Sequence, residues 1–263
     1  MNRLEKSKFM LPSMVTSINL ILGLTSIFLC IQAKTDPALS RLFVLAAWLT
    51  IACTMLDGLD GKVARLTRTS SEFGIQYDSL ADLVAFGVAP AVLMYSRFYS
   101  DFEMGFALLP IFFLLSSAFR LARFNVTTDG KKKKCFYGLP TPPSGGIVAS
   151  FVLFMDFMGK YNLMLGSDRQ AGLVLAAIVV MNCLLMVSKV EFDVFYRFFY
   201  RNFNLGIRGL ITAVILVGII KFSGPVLLGL GFLYIIQALG RWAVTGIRGE
   251  PKDAGKGAGN VLG

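Results

Sequence analysis

The sequence predicts an all-α membrane protein, a polytopic bundle of about eight transmembrane helices, and three observations carry that prediction. Hydrophobic residues make up 55% of the 263-residue chain, 23 residues are phenylalanine, and the mean hydropathy is +0.66. Such a composition belongs to polytopic membrane chains and leaves no room for a separate soluble domain. Apolar runs recur at close to the about 20 residues that crossing a bilayer requires. Lys and Arg, finally, concentrate in alternate connections between those runs.

The spans follow in order. The first, 13–33, comes after a basic start; it is long enough to cross and has no small-residue cleavage site behind it, so it reads as a retained helix. The second, 39–57, contains LFVLAAWLTIACTML, and the third, 76–98, contains LVAFGVAPAVLM. The fourth, 105–122, runs into FRLARFN, and 144–159 and 170–188 supply the fifth and sixth. Two short spans, 209–221 and 224–241, are joined by Lys221-Phe222-Ser223-Gly224-Pro225, and the same stretch can be read as one long interrupted span. These runs make one transmembrane domain over 1–248. The tail 249–263, GEPKDAGKGAGNVLG, is glycine-rich and polar and is expected to be disordered in the cytoplasm.

With the N-terminus in the cytoplasm and eight spans, 20 of the 26 basic residues fall inside, and six fall outside: Lys34, Arg41, Arg97, Lys160, Arg169 and Lys221. That bias sets the orientation. It also accounts for most of the net charge of +10, so nucleic acid is not an expected partner. Lys131 to Lys134 read as a topogenic signal or an anchor for anionic headgroups, each such residue contributing about 1 kcal/mol near a charged surface. Cys30, Cys53, Cys135 and Cys183 have no metal spacing and read as packing residues.

Against this apolar background stand Asp57, Asp60, Asp78 and Asp82, in the frame D-x2-D-G-x2-A-R-x8-G-x3-D-x3-D. Carboxylates beside membrane spans are expensive, and a functional site is the default reading. On helices, residues three and four apart share a face. Asp57 and Asp60 therefore project together, as do Gly74, Asp78 and Asp82. Two such helices facing each other would crowd four like charges, which cations must hold. Oxygen ligands in a chain without histidine favour magnesium or manganese over zinc. Gly61 and Gly74 allow a ligand or backbone to come close, and Arg65 offers a planar cation suited to phosphate oxygens.

The frame resembles the signature of the CDP-alcohol phosphatidyltransferases, membrane enzymes that move a phosphatidyl group from a CDP-linked lipid to an alcohol and release CMP. All eight signature positions are present. The resemblance implies two divalent cations, Mg2+ or Mn2+, on Asp57, Asp60, Asp78 and Asp82. It further implies a CDP-lipid held around Gly61, Ala64, Arg65 and Gly74, with Asp82 as general base, and a homodimer.

DSLADLVAFGVAPA, FRLARFN and GLPTPPSGG look like the membrane-embedded phosphatidylserine synthases of bacteria and archaea. This likeness runs from the first span, where Asn19 in TSINLILG is a candidate for the CDP-lipid site, to about Gly146. It departs at Ala85, where serine is the common residue. Its implications are CDP-diacylglycerol and L-serine as substrates, and a prokaryotic inner membrane with the site facing the cytoplasm. Serine carries a carboxylate, and Arg120 and Arg123, three apart on one helical face, are the acceptor-binding candidates. Another acceptor (glycerol 3-phosphate, an inositol derivative, choline) leaves the aspartate frame unchanged. A cation transporter would use the acids but leaves Arg65, the glycines and the register unexplained.

Overall fold

The protein is described by a computed structural model, which covers residues 3–67, 72–100, 104–127, 136–163, 167–192 and 205–247. Its helices are α1 (Arg3–Thr35), α2 (Arg41–Thr67), α3 (Glu72–Tyr99), α4 (Met104–Thr127), α5 (Thr141–Lys160), α6 (Asp168–Val187) and α7 (Leu205–Ile247). Two-residue strands β1 (Phe136–Tyr137) and β2 (Glu191–Phe192) pair antiparallel beside the helices. The tail from 249 and Cys135 lie outside the described residues.

Six segments are long and apolar enough to cross a bilayer: Met14–Thr35, Arg41–Gly58, Glu72–Tyr99, Gly105–Val126, Asp168–Val187 and Gly209–Val244. At 20 residues, α5 also has spanning length, and most of its first thirteen positions are buried. The helices therefore coincide with the expected spans, and the chain is an all-α polytopic membrane protein.

The ambiguity at the C-terminal end resolves at Phe222, whose backbone leaves helical geometry at φ −136° and ψ 53°. A side-chain carbon added at Gly218 would lie 3.3 Å from a Val226 methyl. Eight residues of unbroken helix would hold those positions about 12 Å apart. The two arms of α7 therefore fold back on each other, as the two-span reading expects. Gly224, at the bend, packs directly on the backbone of Leu153 and Phe154, where any Cβ would collide. Phe222 sets its ring edge-on to Phe157 near the end of α5.

Leu93, Met94, Phe113, Leu139, Phe151, Leu175, Met186 and Tyr234 form the buried centre, drawn from α3 through α7. Several polar side chains inside the bundle bond to backbone oxygens, the partners a waterless interior offers. Ser26 Oγ donates to the Ala46 carbonyl at 3.0 Å across the α1–α2 contact. Tyr99 OH donates to the Gly172 carbonyl at 3.0 Å, tying α3 to α6.

Candidate active site

The acidic residues are set by three helices and a set of polar ties. Asp57 sits where the apolar part of α2 ends, and Asp78 and Asp82 occupy successive turns at the start of α3. Ser17 Oγ and Tyr77 OH share a hydrogen bond of 2.9 Å, holding α1 to α3. Asn125 on α4 accepts from Ser79 Oγ at 3.1 Å and donates to Gln76 Oε1 at 3.2 Å. Together these fix the turn of α3 that carries Asp78. Directly after Asp82 the helix widens into a π segment, Leu83–Val88, a form frequent at functional sites; a second, Tyr95–Tyr99, ends the helix. At that level α1 crosses close: a side chain on Gly23 would come within 2.8 Å of the Ala85 Cα. Ala85, fully buried, packs between helices at this crossing.

Asp57, Asp78 and Asp82 each place one carboxylate oxygen within 4.8 Å of the others. Three anions at that separation repel by about 3–4 kcal/mol per pair at an effective dielectric of about 20. Protons, cationic side chains or bound cations relieve such repulsion, and an all-carboxylate donor set is chemically suited to a hard divalent ion. The backbone of α2 carries Asp60, Gly61, Ala64 and Arg65 onward in helix to Thr67, but their side chains lie outside the described residues. Gly74 lies half-buried in the first turn of α3, one turn before Asp78.

Asn19 is 3% exposed, and its side-chain Oδ1 has no hydrogen-bond partner. Its carbonyl meets Cys53 Sγ at 3.6 Å, which puts it at the α1–α2 contact one turn of α2 from Asp57.

The two arginines of FRLARFN are employed differently. Arg120 is 7% exposed, donates from Nη1 to Thr141 Oγ1 at 2.8 Å, and keeps a buried Nε without a partner. Asp82, Arg123 and Asp57 are the charged side chains near enough to act on its guanidinium. Arg123 instead donates to the carbonyls of Val187 (2.9 Å), Tyr137 (2.8 Å), Met186 (3.1 Å) and Ser188 (3.3 Å). It closes the C-terminal end of α6, where helix carbonyls lack intrahelical partners.

Sequence reasoning did not single out Thr141, Ser144 or Tyr234. Thr141 and Ser144 stand in GLPTPPSGG, a motif noted only as a likeness. Tyr234 is 1% exposed on the second arm of α7, in a stretch with no signal beyond hydropathy.

A family model described as CDP-alcohol phosphatidyltransferase matches residues 9–188. A CDP-diacylglycerol--serine O-phosphatidyltransferase of Helicobacter pylori (strain ATCC 700392 / 26695) is 35% identical over 236 residues, 89% of this chain and 91% of that protein. An archaetidylserine synthase of Methanothermobacter thermautotrophicus is 35% identical over 184 residues, 69% of each chain. A CDP-diacylglycerol--serine O-phosphatidyltransferase of Methanocaldococcus jannaschii is 39% identical over 137 residues, 52% of this chain and 57% of the relative. With its matched region covering Asp57, Asp60, Asp78, Asp82, Arg120 and Arg123, this chain belongs to the CDP-alcohol phosphatidyltransferase family.

Proposed function

We propose that the protein transfers the phosphatidyl group of CDP-diacylglycerol to L-serine, giving phosphatidylserine and CMP. The observation that carries this reading is the pairing of a carboxylate cluster on α2 and α3 with the buried, incompletely bonded guanidinium of Arg120. Full-length similarity to a serine-using relative supports the choice of acceptor. Two divalent cations, Mg2+ or Mn2+, held by Asp57, Asp60, Asp78 and Asp82, would supply charge neutralisation on the pyrophosphate and the departing phosphate.

The chain's own residues do the rest. Arg65, Gly61, Ala64, Gly74 and Asn19 hold the nucleotide end of the lipid. Arg120 receives the carboxylate of serine and turns its hydroxyl toward the lipid-side phosphorus. Asp82 takes the hydroxyl proton as the serine oxygen bonds to phosphorus and the bond to CMP breaks. That role requires an approach of about 2.6–3.2 Å, directly or through one water. Arg123 maintains the end of α6 and so the seat of Arg120. The enzyme works as a homodimer in a prokaryotic inner membrane, its site opening to the cytoplasm, where its basic connections lie.

The test is a panel. Purified protein with CDP-diacylglycerol is offered serine, glycerol 3-phosphate, inositol phosphate or choline, and CMP is measured. Serine should support release well above the others. Preference for another acceptor would leave the family chemistry standing and remove the serine assignment.

A further inference from the structure

The first turns of α5 touch α2, α3 and α4, the helices that carry the acids and Arg120. Gly145 packs on the Phe86 backbone, one turn beyond Asp82. Thr54, one turn before Asp57 on α2, brings its Oγ1 within 3.4 Å of the Pro142 carbonyl. Thr141 accepts the Arg120 hydrogen bond from α4. Thr141 and Ser144, three apart, share one face of α5, the face whose Thr141 meets Arg120. Both residues are completely buried, yet Ser144 Oγ and Arg120 Nε have no hydrogen-bond partner. A buried hydroxyl or guanidinium N–H left unbonded costs about 1–3 kcal/mol. Two such orphans, on the two segments that the Arg120–Thr141 bond joins, mark a place where a polar ligand would complete the bonding.

The chemistry of this turn is unusual for a helix start. Helix N-termini ordinarily offer backbone N–H groups to anions. Here Pro142 and Pro143 have none, and the Ser144 N–H donates to the Pro140 carbonyl at 3.2 Å. Beyond the Thr141 N–H, recognition by this turn runs through hydroxyls.

We propose that the first turn of α5 is the specificity-determining wall of the acceptor subsite: Thr141 is a positioning residue that aims the Arg120 guanidinium, and Ser144 hydrogen-bonds the amino-acid end of the acceptor directly. The proposal rests on the serine reading above and deepens it. Thr141 fixes one edge of the planar guanidinium, which leaves the Nε edge for the acceptor carboxylate. A bidentate fork discriminates only when its plane is held. An acceptor without a carboxylate leaves these donors unpaired, which disfavours it.

The experiment uses purified full-length protein and CMP release, with serine and CDP-diacylglycerol titrated separately, for Thr141→Val, Thr141→Ser, Ser144→Ala and Arg120→Lys. Thr141→Val keeps the shape and loses the acceptor oxygen. It and Ser144→Ala should each raise half-saturating serine about fivefold or more, equivalent to about 1 kcal/mol. Half-saturating CDP-diacylglycerol should move less than about twofold, and Thr141→Ser should restore serine dependence. Unchanged serine dependence in both hydroxyl variants overturns the proposal, and a shift in only one removes the other residue from the subsite. Equal impairment by Thr141→Ser, or parallel shifts for both substrates, would mean a packing role and overturns it as well. If Arg120→Lys shifts serine while the hydroxyl variants do not, only this proposal falls. If Arg120→Lys leaves serine dependence untouched, Arg120 itself leaves the subsite.

Discussion

The two walls of the site are built on opposite electrostatic plans. The α2–α3 wall gathers Asp57, Asp78 and Asp82 with oxygens inside 4.8 Å, an arrangement of like charges that needs cations. The facing α4–α5 wall holds one buried guanidinium and two buried hydroxyls, with donors left over. It needs an anion. The contrast separates two tasks that one pocket must perform. Under the proposed function, the acidic wall would conduct the chemistry common to every acceptor alcohol, and the other wall would choose among acceptors. Substitutions on the first should therefore stop turnover, and those on the second should change which alcohol is used and at what concentration.

The largest effect is expected on the acidic wall. Asp57→Asn or Asp78→Asn should reduce CMP release to background while the protein still inserts and purifies, and chelation with EDTA should do the same to the wild type. Near-normal turnover in either variant would detach that residue from the cation set. Asp82→Asn should lower turnover by about 10²–10⁴-fold, the usual range for loss of a general base, with CDP-diacylglycerol affinity preserved. Lost lipid affinity with normal residual turnover would make Asp82 a ligand only.

On the other wall the shift is smaller and of a different kind. Arg120→Lys should raise half-saturating serine about tenfold, or about 1.4 kcal/mol, because an ammonium cannot reproduce the planar fork. Arg123→Ala provides the internal contrast. Its four carbonyl partners predict a loss of stability of about 1–3 kcal/mol, read as a lower melting temperature, with serine dependence unchanged. If Arg123→Ala and Arg120→Lys moved serine dependence equally, the two arginines would share one function and the comparison between them would fail.

The acidic wall was legible in the sequence because helical periodicity alone places Asp78 and Asp82 on one face and sets Asp57 on another helix. Periodicity does not say which helices meet. That Thr54 reaches Pro142, 88 residues away, is a property of packing that no local pattern encodes. Arg120 and Arg123 look equivalent at three-residue spacing. Only the free carbonyls at the end of α6 distinguish them, and those depend on where α6 stops beside α4. The fold-back of α7 was ambiguous for a similar reason: hydropathy continues on both sides of Phe222, and the turn shows only in the backbone and in the approach of Gly218 to Val226.

The central claim is that one pocket joins cation-dependent phosphatidyl transfer to recognition of a carboxylate-bearing acceptor. It is tested most directly by following labelled serine into lipid alongside CMP release from CDP-diacylglycerol, in purified protein stripped with EDTA and then titrated with magnesium or manganese. The account predicts one CMP released per serine incorporated, no incorporation in the stripped protein, and recovery of both signals together as the metal is restored. Incorporation indifferent to chelation, or CMP release that proceeds without serine entering lipid, would contradict it.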